Sequence, residues 1–392
     1  MTEEKIEKTE KKTEEKKPKS LLDLQKSFKK EFGKNTVKLG DEIEEVPVLC
    51  SSGSISLDSI IGIGGIPRGR IIEFFGQASG GKTLFSLLTA IQCQKQGGIV
   101  AFQDLENSFD RNWFLKLGGN MDENKFMLIK PESGTDAYEM IDQLVSSEIV
   151  DLVIVDSVST MISDAEKENS YASEHMAKLA RMMSNGLKKL NSTMLQHPKS
   201  SVIFINQTRS GMDKYHPEVT TGGNALPFYA SLRMKVQRVS GKDGILGDES
   251  NPEGFLTRCK IVKSKVGPPL RTVEVSVYVN HPTKIGVVLE EELLSVAISM
   301  GIIKRYSKNK ETDELIEDVD GSYYEFNDKQ FYGKPKFMKY IESDPSILEG
   351  LKPIIFSYLS KKEKPEPDSF LAEVKEEEKK QRKSRKNKDE EN

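Results

Sequence analysis

The sequence predicts an α/β protein: a central, mostly parallel sheet covered by helices, with a docking helix in front and a small α+β domain behind. Three observations carry this. Four short apolar runs, Ile71–Phe75, Ile99–Phe102, Leu152–Val155 and Val202–Ile205, alternate with helical stretches between about residues 50 and 280. Apart from Glu73 these runs are apolar throughout, as strands buried on both faces are. Each ends in or just before residues with chemical capacity: Gly76, then Asp104 and Glu106, then Asp156, then Asn206 and Gln207. In an open parallel sheet, ligands gather beyond the carboxyl ends of the strands.

In chain order, residues 1–20 are almost all Glu, Lys and Thr with nearly cancelling charge. They bury nothing and read as a disordered tail, with an isolated solvated helix as the alternative. Leu21, Leu24, Phe28 and Phe32 recur at near-helical spacing before glycines at 33 and 40. Residues 21–48 therefore read as a short amphipathic helix and linker, with an apolar stripe that must dock on its own core or on a neighbouring subunit. The main domain spans 49–284. Beyond it, Leu293, Leu294, Val296, Ala297 and Ile298 predict a helix, Gly321–Gly333 a turn-rich aromatic segment, and Pro335–Glu342 and Ile347–Leu359 two further helices. Residues 285–360 form the small α+β domain in this reading. Residues 361–392 are a second charged tail, whose basic cluster Lys379–Lys388 serves either solubility or an electrostatic contact to DNA or an acidic partner.

Composition narrows the function classes. Of 392 residues, 36% are hydrophobic and 30% charged, with net charge -3, so any nucleic-acid surface must be a local patch. Cys50, Cys93 and Cys259 form no CxxC pair, which argues against a zinc knuckle or redox motif and fits a reducing, cytoplasmic setting. No apolar run is long enough to span a bilayer, and the N-terminus lacks the apolar core of a secretory signal. No membrane partner is expected.

The segment Gly76-Gln77-Ala78-Ser79-Gly80-Gly81-Lys82-Thr83 matches GxxxxGK[ST] between a predicted strand and the helical run Leu84–Gln94. Its glycines let backbone N–H groups turn around phosphates, and the helix N-terminus favours the anion. Lys82 is placed to reach the β- and γ-phosphates of a nucleoside triphosphate, and the Thr83 hydroxyl to ligate Mg²⁺. Asp156, closing another strand, fits the carboxylate that holds the same ion or its water. Glu106, just past a third strand end, either polarises the attacking water or is a solvated loop residue.

At these residues the chain resembles the RecA family of ATP-dependent DNA recombinases, over roughly Leu21–Leu359 and most densely over Ser51–Gly267. The matching strings are Gly53-Ser54-Ile55-Ser56-Leu57-Asp58, Gly64-Gly65-Ile66-Pro67-Arg68-Gly69-Arg70, the phosphate loop, and Val155-Asp156-Ser157-Val158. Leu179-Ala180-Arg181-Met182-Met183-Ser184, Phe204-Ile205-Asn206-Gln207 and Thr221-Gly222-Gly223-Asn224-Ala225-Leu226 follow in the same order. The resemblance implies a RecA-like ATPase core that uses ATP and Mg²⁺. It makes Glu106 the water-activating carboxylate, Asp110 and Trp113 the adenine contacts, and Gln207 the γ-phosphate sensor. Trp113 stands where the family has a tyrosine and keeps an aromatic face. Lys263 and Lys265 match the lysines that reach a neighbouring subunit's ATP, and the helix around Leu21–Phe32 matches the arm that docks on that neighbour.

The resemblance also implies two DNA loops, about Glu166–Met176 and Gln207–Gly223. Candidate DNA contacts are Met176, Arg181, Arg209, Tyr215, Gly222, Gly223 and Asn224. Arg181 and Arg233 pair either with phosphates or with protein carboxylates. Pro227 replaces a lysine common in the family, Asn107 replaces a frequent histidine, and the tail lacks the family's acidic character. The implied function is a homologous recombinase: a helical homo-oligomeric filament on single-stranded DNA that pairs it with homologous double-stranded DNA and hydrolyses ATP. Two other classes stay open, a hexameric ATPase or helicase of the same fold and a non-catalytic filament accessory protein.

Overall fold

The computed structural model describes residues 20–33, 37–161, 175–213, 216–309, 312, 314–318, 321–326 and 329–360. The terminal tails with the basic cluster, most of the first expected DNA loop, and Tyr215 lie outside these residues. The chain forms two compact units parted between Val46 and Pro47.

In the first unit, Ser20 caps the helix Leu21–Phe32 by accepting the Asp23 N–H at 3.1 Å. Gln25 donates to Glu42 at 2.6 Å and Lys29 pairs with the same carboxylate at 3.3 Å, folding the linker back on its helix. The Leu39 N–H is the main influence holding the Glu42 carboxyl below its usual range. Leu21 and Phe32 are exposed, and Phe28 meets Phe32 edge-on at 5.9 Å.

The second unit is built on an 11-stranded sheet. Its strands follow a small antiparallel pair, β1 (Val48–Cys50) and β2 (Ile66–Pro67). In chain order they are β3 (Ile71–Gly76), β4 (Val100–Asp104), β5 (Phe126–Ile129), β6 (Leu152–Asp156), β7 (Ser201–Asp213), β8 (His216–Thr220), β9 (Leu232–Arg238), β10 (Ile245–Asp248), β11 (Asn251–Ser264), β12 (Thr272–Tyr278) and β13 (Gly286–Val287). The order across the sheet is β13-β12-β11-β9-β3-β7-β6-β4-β5, with β8 paired to β7 and β10 to β11. From β9 to β5 every neighbour is parallel, and β11 to β13 add antiparallel strands at one side.

Side chains alternate between two cores along each parallel strand, as the two-residue period of a strand requires. Ile72, Phe74, Leu152, Ile154, Ile203 and Ile205 join the face covered by helix Lys82–Lys95. Ile71, Val153, Val155, Val202 and Phe204 join the face covered by helices Gly134–Ser146 and His175–Gln196. The four predicted strands thus form with both faces buried, and the fold is the expected α/β one.

Two expectations change in detail. The segment Gly321–Gly333 is not a run of turns. It carries β16 (Tyr323–Phe326) and β17 (Lys329–Tyr332), which with β14 (Lys304–Lys308) and β15 (Leu315–Glu317) make a four-stranded antiparallel sheet. Tyr324 and Phe326 point inward while Tyr323 and Glu325 do not, an alternation that favours a strand over a turn. Likewise, 207–223 is largely a hairpin. Thr208, Arg209 and Ser210 on β7 pair with Thr220, Val219 and Glu218 on β8, so much of its backbone is spent on the ladder.

The four-stranded sheet shares a core with helices Leu289–Ser299, Lys334–Ser343 and Pro345–Ser360, and that core also takes in Ile55 of helix Ile55–Ile61. The junction is polar as well. Buried Glu292 accepts the Ser54 hydroxyl and, at 2.8 Å, the Ile55 N–H, so it caps the helix Ile55–Ile61 from a distant element. Burial pushes its carboxyl up to about 7. Glu292→Ala strands both donors and is expected to lower unfolding stability by about 2–4 kcal/mol, read from the urea midpoint. Leu289→Ala, at an exposed position of the same helix, should stay within about 0.5 kcal/mol of the parent.

Candidate nucleotide site and the loops around it

The phosphate loop is shaped by what a side chain would strike. A Cβ at Gly76 would meet the Val236 carbonyl at 2.1 Å, and one at Gly80 would lie 2.8 Å from it. Gly81 has φ +101°, a left-handed value that suits glycine, as it passes into the helix Lys82–Lys95. Lys82 is only 6% exposed and donates to the Gln77 carbonyl at 2.6 Å, turning its ammonium into the loop. Burial holds that ammonium below its usual range, against the opposing pull of Asp156 and Glu106.

Asp156 ends β6 and joins three elements. Its Oδ2 accepts the Thr83 hydroxyl at 2.8 Å, and its main-chain carbonyl accepts the N–H groups of Leu105 at 2.7 Å and Glu106 at 3.3 Å. Burial raises its carboxyl to about 6, partly countered by Thr83, while Glu106 and Asp104 push further upward. Asp104 folds the segment after β4 by accepting Ser108 N–H at 2.9 Å and Phe109 N–H at 3.1 Å. Asn107 takes φ +54° at the apex, and Lys130 donates to its side chain.

The Glu106 carboxylate therefore lies beside Asp156, where its Oε1 accepts Gln207 Nε2 at 2.9 Å and the Ser157 hydroxyl. Gln207 lies on β7, the strand between β3 and β6, where its parallel pairing with β3 ends opposite Gly76. Four strand ends far apart in sequence thus meet at one place. A loop rich in N–H donors beside an ammonium suits phosphate, and a hydroxyl with a carboxylate suits a hard divalent cation. Among the described residues no cluster of three or more His, Cys, Asp or Glu side chains surrounds a metal position. A cation at Thr83 and Asp156 would complete its shell with phosphate oxygens and water.

The other expected site residues fall as follows. Asp110 is the N-cap of the helix Arg111–Lys116, accepting the N–H groups of Asn112 at 2.8 Å and Trp113 at 3.0 Å. Trp113 is half-buried against the core. Arg181 on helix His175–Gln196 and Arg209 on β7 are exposed. Met176 opens that helix, and its side chain is outside the described part. Gly222 and Gly223 close the hairpin with φ +87° and +74°, and Asn224 leads into the helix Ala225–Tyr229.

Arg233 resolves to the protein-carboxylate reading. Its Nε bonds fully buried Glu73, and its guanidinium lies 4.6 Å from the Phe75 ring centroid. Glu73 also accepts Asn206 Nδ2 at 2.9 Å. Asn206 in turn bonds Thr221 O at 2.9 Å and accepts the Gln207 N–H at 2.9 Å, pinning both ends of the hairpin. Glu73 and Ser157 were not singled out from sequence. The lone carboxylate in an apolar strand was the available signal for Glu73, and Ser157 had none beyond its place next to Asp156.

Lys263 and Lys265 lie away from the chain's own phosphate loop. Lys263 pairs across the ladder with Arg233, which pairs with Glu73, and the Lys265 N–H donates to Ser231 O at 2.7 Å. Those partners are at the amino-terminal end of β3 and β9, about 10–16 Å of strand behind Gly76. Lys263 donates at 2.7 Å to the carbonyls of both Pro227 and Phe228, and burial followed by Lys265 and Arg233 lowers its ammonium. Phe228 beside it is 72% exposed.

A family model described as the RecA N-terminal domain matches residues 19–283. Protein RecA of Bacteroides thetaiotaomicron is 36% identical over 349 residues, 88% of this chain and 98% of the relative. Protein RecA of Thermus aquaticus is 36% identical over 343 residues, 86% and 94% of the two chains. Protein RecA of Chloroherpeton thalassium is 40% identical over 302 residues, 76% and 81%.

The raised Asp156 carboxyl fixes a sign. The folded chain holds this proton more tightly than the unfolded one, so ligand-free stability falls as pH rises from about 3.8 through about 6 and stays lower above it. Asp156→Asn removes that deficit while keeping an acceptor for Thr83. It should raise ligand-free stability at pH 8 by about 1–3 kcal/mol and lower Mg²⁺-dependent ATP hydrolysis about 100-fold or more. Chemical denaturation beside a phosphate-release assay checks both, and an unchanged midpoint would refute the buried-charge assignment.

Proposed function

This chain belongs to the RecA family, and on that premise we propose that it is an ATP-dependent recombinase that assembles on single-stranded DNA and pairs it with a homologous duplex. The observation that carries the reading is the hydrogen bond from Gln207, at the root of the hairpin, to Glu106 beside the phosphate loop. One residue can thereby report to the hairpin what occupies the nucleotide site.

In this reading the backbone N–H groups of Gly76–Thr83 and the Lys82 ammonium bind the ATP phosphates, with the adenine against Asp110 and Trp113. Mg²⁺ held by Thr83 and Asp156 would neutralise phosphate charge. Glu106 takes the proton of a water whose oxygen attacks the γ-phosphorus. The bond from that phosphorus to the bridging oxygen breaks, leaving ADP and phosphate.

In this reading Lys263 and Lys265 serve another copy, and their pairing upstream of Gly76 supports it. A contact joining two different faces of like subunits is heterologous, and a rotation that does not close gives an open helix. The helix Leu21–Phe32 supplies a second such contact through its exposed apolar side chains. Met176, Arg181, Arg209, Tyr215 and the N–H groups of Gly222, Gly223 and Asn224 contact DNA, chiefly its phosphates. That makes binding strongly salt-dependent and indifferent to sequence.

Lys82→Ala is expected to lower DNA-stimulated ATP hydrolysis about 100-fold or more and to abolish strand exchange between a circular single strand and a linear duplex. Negative-stain microscopy of the parent with single-stranded DNA and a non-hydrolysable ATP analogue should show helical filaments, absent without nucleotide. Closed rings on DNA, or wild-type strand exchange by the Lys82 variant, would overturn the reading.

A further inference from the structure

The carboxyl end of β5, the edge of the parallel run, also reaches the Glu106 loop. β4 and β5 pair in parallel up to Gln103 opposite Ile129, so Lys130 leaves the sheet level with Asp104. Its ammonium crosses to the loop after β4 and donates to the Asn107 side chain.

The place of that bond in the loop gives it weight. The N–H groups of Leu105 and Glu106 go to the Asp156 carbonyl, and those of Ser108 and Phe109 to the Asp104 carboxylate. Asn107 stands between the two pairs, exposed, at φ +54°. Its hold comes through the side chain, from a third strand. A left-handed conformation costs an L residue backbone energy, which asparagine commonly offsets by hydrogen-bonding its own neighbourhood. Here the amide oxygen is engaged by a residue 23 positions away. The next residue back is Glu106. In the proposed reaction its carboxylate takes a proton from the attacking water, and a shift of about 1 Å in such a group is costly to the rate.

We propose that Lys130 is a positioning residue for ATP hydrolysis: by holding Asn107 at the apex of the loop, it fixes the Glu106 carboxylate beside the phosphate loop. The inference rests on the reading of Glu106 as the group that activates water, and deepens it. In this role Lys130 touches neither the nucleotide nor the reacting water.

The test is a double-mutant cycle on ATP hydrolysis by the full chain with saturating single-stranded DNA. Lys130→Met keeps the stem and loses the donor, while Asn107→Gly loses the acceptor and still adopts the left-handed apex. Each should lower kcat about fivefold, with KM for ATP within about twofold of the parent's. The double variant should fall no further than either single one, and Lys130→Arg, which keeps a charged donor, should restore most of the rate. Both positions are exposed, so urea midpoints should stay near the parent's. Unchanged kcat in the single variants, additive losses, or a Lys130→Met loss beside a silent Asn107→Gly overturns the proposal. A Lys130→Met effect confined to DNA affinity, with kcat recovered at saturating DNA, marks a phosphate contact and overturns it too. Glu106→Gln is measured alongside: hydrolysis at the parent's rate there sinks the reading of Glu106 itself, whatever the cycle shows.

Discussion

The site depends on Asp156 being shared. Its carboxylate takes the hydroxyl of Thr83 at the head of one helix, while its main-chain carbonyl takes the N–H groups that start the Glu106 loop. A motion of β6 relative to β3 or β4 must therefore move the Thr83 hydroxyl and the Glu106 carboxylate together. The cost is a buried carboxyl raised to about 6, stored in the ligand-free protein. A site that discharges such a cost when it meets a cation and phosphates couples binding to rigidity, because the free energy released on binding includes the relief.

Glu73 is another buried carboxylate, on β3 beside the strand that carries Gln207. Removing a carboxylate from water costs several kcal/mol, of the order of what a well-formed ion pair returns, so its justification lies in orientation. It accepts Arg233 and Asn206, which leaves the Asn206 carbonyl oxygen free to take the Gln207 N–H. An amide held by a charge on one side and by Thr221 O on the other has one orientation. Gln207 thereby starts from a fixed backbone, and the hairpin has both ends tied to one strand. The same arginine pairs across the ladder with Lys263.

What was legible in the sequence follows the range of the interactions. The phosphate loop was legible because strand, glycine turn and helix are contiguous and each has a local signature. Asp156, Glu106 and Gln207 were legible as strand ends, since a parallel sheet aligns carboxyl ends whatever the strand order. Arg233 was ambiguous because its partner is 160 residues away, and charge alone does not distinguish a phosphate from a carboxylate. The β16–β17 hairpin was obscured by glycines and aromatics that suit a turn as well as a strand. The resemblance supplied roles for Lys263 and Lys265, and the register of β11 on β9 sets them upstream of the chain's own phosphate loop.

That register carries the argument beyond a single chain. A strand has a direction, and β3 and β9 run parallel, so the lysines pair upstream of the phosphate loop, Lys263 beside Arg233 and Arg233 beside Glu73. In the proposed assembly a subunit has a front that receives phosphate and a back that supplies cations. A twofold pairing closes on two copies, whereas a head-to-tail contact leaves one front and one back unused after every addition. Growth is open unless the rotation happens to close. In that proposed arrangement the nucleotide belongs to the joint between subunits, and its hydrolysis acts on the assembly as well as on the chain that binds it.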